Sequence, residues 1–306
     1  MAPRSPHPRL RVASVPRAVQ PGALAVTMVL AMALVVAPTP AVAAQDSTED
    51  AAENPTPHVE TQLVTDRRAV HPGDTIPFGI SFDIDPGWHL YWRGYSDSGQ
   101  PIDVTFELPD GVQLSPLRWP APSHLASDGM LDLVYEGQVT LVAELTVSAD
   151  VEPGARLVID AHHEWLVCRE LCLFGAGQVS LALPVVPQDQ EVEVDESGAL
   201  RMDRTAVRLP RTPRAAIDDR PGEVSVSWDD TRARIVAPGA SRLLFHPNED
   251  CGYPADLLNQ GEVSGDTLDL DLIVTSAAPL RLSGILEVHR PDHPRADFLS
   301  VLEIRP

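Results

Sequence analysis

"ARLVIDAHHEWLVCRELCLFGAGQVSLALPVV", residues 155–186, decides the fold class. Leu157, Ile159, Ala161, His163, Trp165 and Val167 share one face of an extended chain, and Val158, Asp160, His162, Glu164, Leu166 and Cys168 share the other. A period of two is the mark of a strand. Were that strand to run on to Cys172, the two cysteine Cα atoms would stand about 13 Å apart, beyond the reach of a disulfide. A bridge therefore demands a turn at Arg169-Glu170-Leu171, which a three-residue hairpin tip supplies. "QVSLALPVV" then reads as the return strand, with "FGAG" keeping its start flexible.

The same texture extends in both directions. Turn signals stand at "HPGD" (71–74), "DPGW" (85–88), "LPDG" (108–111) and "EPGA" (152–155), with "IPFGISFDI", "IDVTFEL" and "VTLVAELTV" between them. Short alternating runs at this spacing predict an antiparallel sandwich or barrel over 58–187, and no stretch has helical periodicity. After Val186, "PQDQEVEVDESG" and "RLPRTPRAA" carry charge and proline but little core material, so 188–220 reads as a linker. A second β unit follows over 221–306, with "RARIVAP", "RLLFHP", "DTLDLDLIV", "LRLSGILEV" and "DFLSVLEI", of a length that suits one immunoglobulin-sized sandwich. The fold class expected is all-β, two sandwiches in tandem.

Ahead of them lies an export signal. Arg4, Arg9, Arg11 and Arg17 lead into the apolar run Ala23–Ala37, and Ala41-Val42-Ala43-Ala44 offers a cleavage site, so 1–44 reads as a signal peptide. The run is shorter than the roughly 20 residues of a spanning helix. Residues 45–57 are acidic and poor in hydrophobics, as a disordered leader is. The chain's net charge of −21 becomes more negative once the four arginines are removed. Such a body argues against nucleic acid and anionic lipid as partners. No later stretch reaches spanning length, so no membrane span is expected in the mature chain. A periplasmic or secreted location, oxidising to thiols, follows.

Two of the three cysteines, Cys168 and Cys172, lie four positions apart. As a staple the pair would close a tiny loop, with less chain-entropy benefit than a long-range bridge. A pair at an exposed tip makes sense as a dithiol that opens, because exchange requires access to sulfur. A copper(I) site would join one imidazole to the two sulfurs, but His162 and His163 point to opposite faces and the paired Cys-x-x-Cys spacing is absent, so no metal is assigned. Arg169 would favour a thiolate at Cys168 while Glu164 and Glu170 would oppose it, which leaves the attacking sulfur open. Cys251 has no sequence neighbour to pair with and reads as buried and inert. Trp88, Tyr91, Trp92 and Tyr95 cluster in "GWHLYWRGYSDSGQP", where Trp88, Leu90 and Trp92 share a face suited to the core. No phosphate loop, Ser/His/Asp order or carboxylate pair stands out.

"PGWHLYWRGYSDSGQPIDVTFELPDGVQLSPLRWPAPS", "LVYEGQVTLVAELTV" and "HHEWLVCRELCLFGAGQVSLALPVV" resemble the N-terminal periplasmic domain of the DsbD and ScsB thiol:disulfide interchange proteins. The likeness spans 58–186, with Trp-Leu-Val-Cys-x3-Cys its most specific part, and extends more loosely to the second unit. It implies an immunoglobulin-like sandwich whose redox cysteines, here Cys168 and Cys172, sit on a hairpin. It implies a protein-disulfide reductase component that takes electrons from a membrane-embedded domain. These pass to periplasmic thioredoxin-like proteins, for disulfide reduction, cytochrome c maturation or copper stress. No cofactor is called for. The family's cap over the sulfurs maps near "ASDGMLDLVYEG", giving Met130 and Leu131 as cap residues, with Tyr135 and Trp165 supporting. Two departures stand out: "RGYSDSG" replaces a Pro-Gly step, and the chain stops after two β units, so a separate membrane protein would supply the electrons. The competing class is a non-catalytic binding module in which the same pair is a permanent disulfide.

Overall fold

A computed structural model describes residues 57–216, 222–275 and 279–305. The signal segment 1–44 and all but the last residue of the acidic leader lie outside the described residues. The described residues build ten strands, a helix, and eight further strands with one short helix among them.

The first ten strands are β1 (Val59–Thr65), β2 (Thr75–Ile84), β3 (His89–Tyr91), β4 (Asp103–Glu107), β5 (Val112–Leu114), β6 (Ser123–Ser127), β7 (Met130–Glu136), β8 (Gln138–Val147), β9 (Arg156–Cys168) and β10 (Cys172–Pro184). They form two sheets, β1-β2-β8-β5 and β10-β9-β3-β7-β6, with β4 also paired to β9. In β2 the alternation is strict: Ile76, Phe78, Ile80, Phe82 and Ile84 all turn into the core. Strand β9 meets them from the other sheet with Leu157, Ile159, Ala161, Trp165 and Val167. Phe82 stands edge-on to Trp165 at 6.3 Å. Two sheets face to face make a sandwich, which resolves the choice between sandwich and barrel.

The segment 188–220, expected as a linker without helix, instead carries α1 (Glu196–Ala206). Asp195 caps it, its carboxylate accepting from the backbone N–H groups of Ser197 and Gly198. The helix lies on the outer face of the β1-β2-β8-β5 sheet. Arg201 donates there to Ser81 Oγ and Asp83, each at 2.9 Å. Beyond it, Arg208 donates to the carbonyls of Ala121 and Pro122. Arg211 bridges Leu299 of the second unit and forms a two-pronged pair with Glu223. Polar docking, not an apolar stripe, holds this segment down.

The second sandwich comprises β11 (Ser225–Asp229), β12 (Arg232–Val236), β13 (Arg242–Pro247), β14 (Tyr253–Pro254), α2 (Leu257–Gln260), β15 (Glu262–Val263), β16 (Thr267–Ile273), β17 (Arg281–His289) and β18 (Asp297–Ile304). Its sheets run β11-β12-β16-β14 and β15-β13-β17-β18 around Leu243, Phe245, Leu270, Leu282 and Leu286. Ile285 and Phe298 pack into the first core, while Leu131 of β7 packs into the second. His246 lies between Trp92, at 6.5 Å, and His124, at 4.8 Å between ring centroids. The two sandwiches therefore share side chains across their junction.

Candidate functional site

The β9–β10 hairpin runs in unbroken register from Pro184↔Arg156 to its last rung, Cys172↔Cys168. The two cysteines are joined by a disulfide, their Cα atoms 4.1 Å apart, across the tip Arg169-Glu170-Leu171. Arg169 is steadied by its guanidinium, which sits 5.1 Å over the Trp88 ring.

Strand parity decides what surrounds the sulfurs. Cys168 has the parity of Leu166, so it lies on the outer face of its sheet, away from the sandwich core. It is nonetheless 3% exposed, because a local cluster of Tyr91 and Val134, with Leu125 and Leu166 alongside, covers it. Cys172, on the same rung, is exposed, as are Leu171 and Phe174 beside it. One bond thus joins a solvent-facing sulfur to a buried one.

A short polar chain reaches the exposed sulfur. The Tyr91 hydroxyl stands 4.0 Å from Cys172 Sγ, 3.3 Å from His89 Nε2 and 3.4 Å from Ser98 Oγ. Ser98 in turn donates through its backbone N–H and its hydroxyl to Asp132, at 2.8 and 2.7 Å. His89 pairs in register with Cys168. Burial lowers the His89 pKa and raises that of Tyr91, so both stay neutral near pH 7. A neutral Tyr91 hydroxyl can donate to a thiolate at Cys172 once the pair is reduced.

The other sequence candidates fall in different places. Leu131 is buried in the core of the second sandwich, while Met130, beside the Asp128-Gly129 turn of the β6–β7 hairpin, is 44% exposed. Tyr135 and Trp165 face the first core, the Tyr135 hydroxyl donating to the Pro120 carbonyl at 2.6 Å. Both lie on the inner face of the sheet whose outer face carries Cys168. His162 is exposed, 3.5 Å from Glu107, and His163 is buried against Thr61, on opposite faces as the alternation requires. Among the described residues no group of three or more His, Cys, Asp or Glu is arranged to hold a metal. Cys251 is free and partly buried, and burial pushes its thiol up to about 11, which keeps it protonated.

The resemblance placed a cap near 126–137, the stretch that holds Val134 and Asp132, but singled out neither of them, nor Tyr91, Leu125 or Ser98. Parity pointed to Tyr91, since Trp88, Leu90 and Trp92 do enter the core and Tyr91 must then face outward beside the β9 cysteine.

Residues 60–184 match the family model described as "Thiol:disulfide interchange protein DsbD, N-terminal". The N-terminal periplasmic domain of ScsB from Proteus mirabilis aligns over 81% of this chain and 94% of its own, with a TM-score of 0.52 at 14% identity. That is a likeness of fold. BcpA, the major pilin subunit of Bacillus cereus, aligns over 70% and 67% at 9% identity with a TM-score of 0.26, which carries no argument. No curated protein matches. Among the described residues no helix is long and apolar enough to cross a membrane.

Proposed function

We propose that this chain, whose residues 60–184 form a DsbD N-terminal-like domain, passes electrons in the periplasm by thiol–disulfide exchange at Cys168 and Cys172. The observation that carries the reading is the split exposure of one disulfide, Cys172 open to solvent and Cys168 covered outside the core.

A partner's thiolate attacks Cys172 Sγ in line with the S–S bond, forming a mixed disulfide and releasing Cys168 as a thiolate. A second partner thiol then attacks the mixed disulfide and frees Cys172. The partner leaves oxidised, and this chain holds two electrons and two protons as a dithiol. Reduction of the next partner runs the same steps backward, with Cys172 attacking and Cys168 resolving. Tyr91 supports both directions by donating to the Cys172 thiolate as it forms. The partners this reading implies are a membrane-embedded donor and periplasmic thioredoxin-like acceptors.

The test is the reduction potential of the pair, measured by thiol trapping across graded redox buffers. A midpoint of roughly −120 to −270 mV, with exchange onto a thioredoxin-like protein, is the expected result. A value below roughly −300 mV with sulfurs that resist trapping would make the pair a staple and overturn the proposal.

A further inference from the structure

The cover over Cys168 is fastened at its far end to the second sandwich. From Tyr91 the chain enters the loop 92–101, which lies along β7: Trp92 N donates to the Leu133 carbonyl, Ser96 Oγ accepts from Leu133 N, and Asp97 exchanges two bonds with Leu131. Near the sulfurs, Gly99, at φ +75°, rests on the Tyr91 ring so closely that an added Cβ would stand 2.2 Å from it. In its middle, at Tyr95, the loop reaches the second sandwich. Tyr95 N donates to the Pro247 carbonyl at 2.9 Å, and the Tyr95 ring meets Tyr253 edge-on at 5.3 Å with the hydroxyls 3.4 Å apart. Leu131 and His124 add two more anchors, Leu131 within the second core and His124 against His246. Three residues, Ser96, Asp97 and Ser98, separate the Tyr95 anchor from the glycine on Tyr91.

We infer, on the premise that the pair exchanges with partners, that the second sandwich sets access to Cys168, with Tyr95 and Tyr253 as the positioning residues. Covering the resolving sulfur directs an incoming thiolate to Cys172 alone. It also shields the Cys168 thiolate of the reduced pair from outside oxidants, without touching the exposed sulfur. At Tyr95 the tie is one aromatic pair, one hydroxyl contact and one backbone hydrogen bond, beside the Leu131 and His124 anchors, so losing Tyr253 alone loosens the cover without freeing it.

The two sulfurs give the test its internal control. The full chain is reduced with a phosphine, and the alkylation rates of Cys168 and Cys172 are followed separately by peptide mass analysis. In Tyr253→Ala the Cys168 rate is expected to rise by about two- to tenfold, the factor equivalent to losing one aromatic pair, while Cys172 keeps its rate. Tyr253 is half exposed, so the variant should fold, and Tyr253→Phe, which keeps the ring, should stay within about twofold of the parent. An unchanged Cys168 rate in Tyr253→Ala overturns the inference. So does an equal acceleration of both sulfurs, which reports general loosening. Because the pair is reduced beforehand, the result does not depend on its potential, and a failed exchange assay is distinguishable from a failed anchor.

Discussion

Cys168 and Cys172 face each other across the last rung of one hairpin, yet only Cys172 meets solvent. This asymmetry orders the chemistry. Cys172→Ser should abolish exchange with a thioredoxin-like partner. Cys168→Ser, given a partner's disulfide, should instead accumulate a mixed disulfide through Cys172, since this chain no longer holds the thiol that resolves it forward. Non-reducing gels of the two variants with the disulfide form of a partner check this, and a mixed disulfide through Cys168 would reverse the assignment.

The Tyr91 hydroxyl stands 4.0 Å from the exposed sulfur. Tyr91→Phe removes that donor while keeping the ring that covers Cys168. A thiolate that loses a donor is less stable, so the Cys172 pKa in the reduced pair should rise. The pH dependence of alkylation at Cys172 measures the shift, and Cys168 should stay as slow as in the parent.

Gly198 sits in the first turn of α1 with its Cα pressed on the β1 strand. A helical glycine replaced by alanine ordinarily gains about 0.5 to 1 kcal/mol. Here an added Cβ would stand 1.9 Å from the Thr65 carbonyl oxygen, and a backbone oxygen cannot swing away. Overpacking of that kind costs about 1 to 3 kcal/mol, so Gly198→Ala should lower stability. Urea unfolding gives the sign directly.

These sites differ in how much of them the sequence could reveal. The β9–β10 hairpin was legible because its alternation is strict and because two bonded cysteines four residues apart force a three-residue tip. The core face of the aromatic cluster was legible for the same reason of parity. The helix α1 was not, because it is held by Arg201 on Ser81 and Asp83 and buries only Gly198 and Thr205, leaving no apolar period to detect. The cover over Cys168 was only half legible. Leu125 and Val134 come from a hairpin roughly forty residues upstream, which the resemblance marked as a cap, but no local pattern picks out these two side chains as the ones on the sulfur. The anchoring of that hairpin in a second sandwich, through Leu131, is a property of three-dimensional packing alone.

The junction between the sandwiches should also make the chain acid-sensitive. Burial holds His124 well below its ordinary value of 6.5, at about 4, and the neighbouring His246 adds to the effect. The unfolded chain therefore binds a proton at His124 that the folded chain refuses anywhere between those two values. Stability is full above about 6.5 and is lost as pH falls toward 4, below which this group adds no further change. At pH 5 the loss amounts to about 2 kcal/mol. Chemical denaturation at pH 8 and pH 5 should show it, and His124→Asn, which cannot take up the proton, should remove much of the difference. An Asn variant with the parent's full pH dependence would place the acid sensitivity elsewhere. Because His124 stands on β6 and Leu125, its neighbour, packs on Cys168, the same acidification should raise the Cys168 alkylation rate relative to that of Cys172.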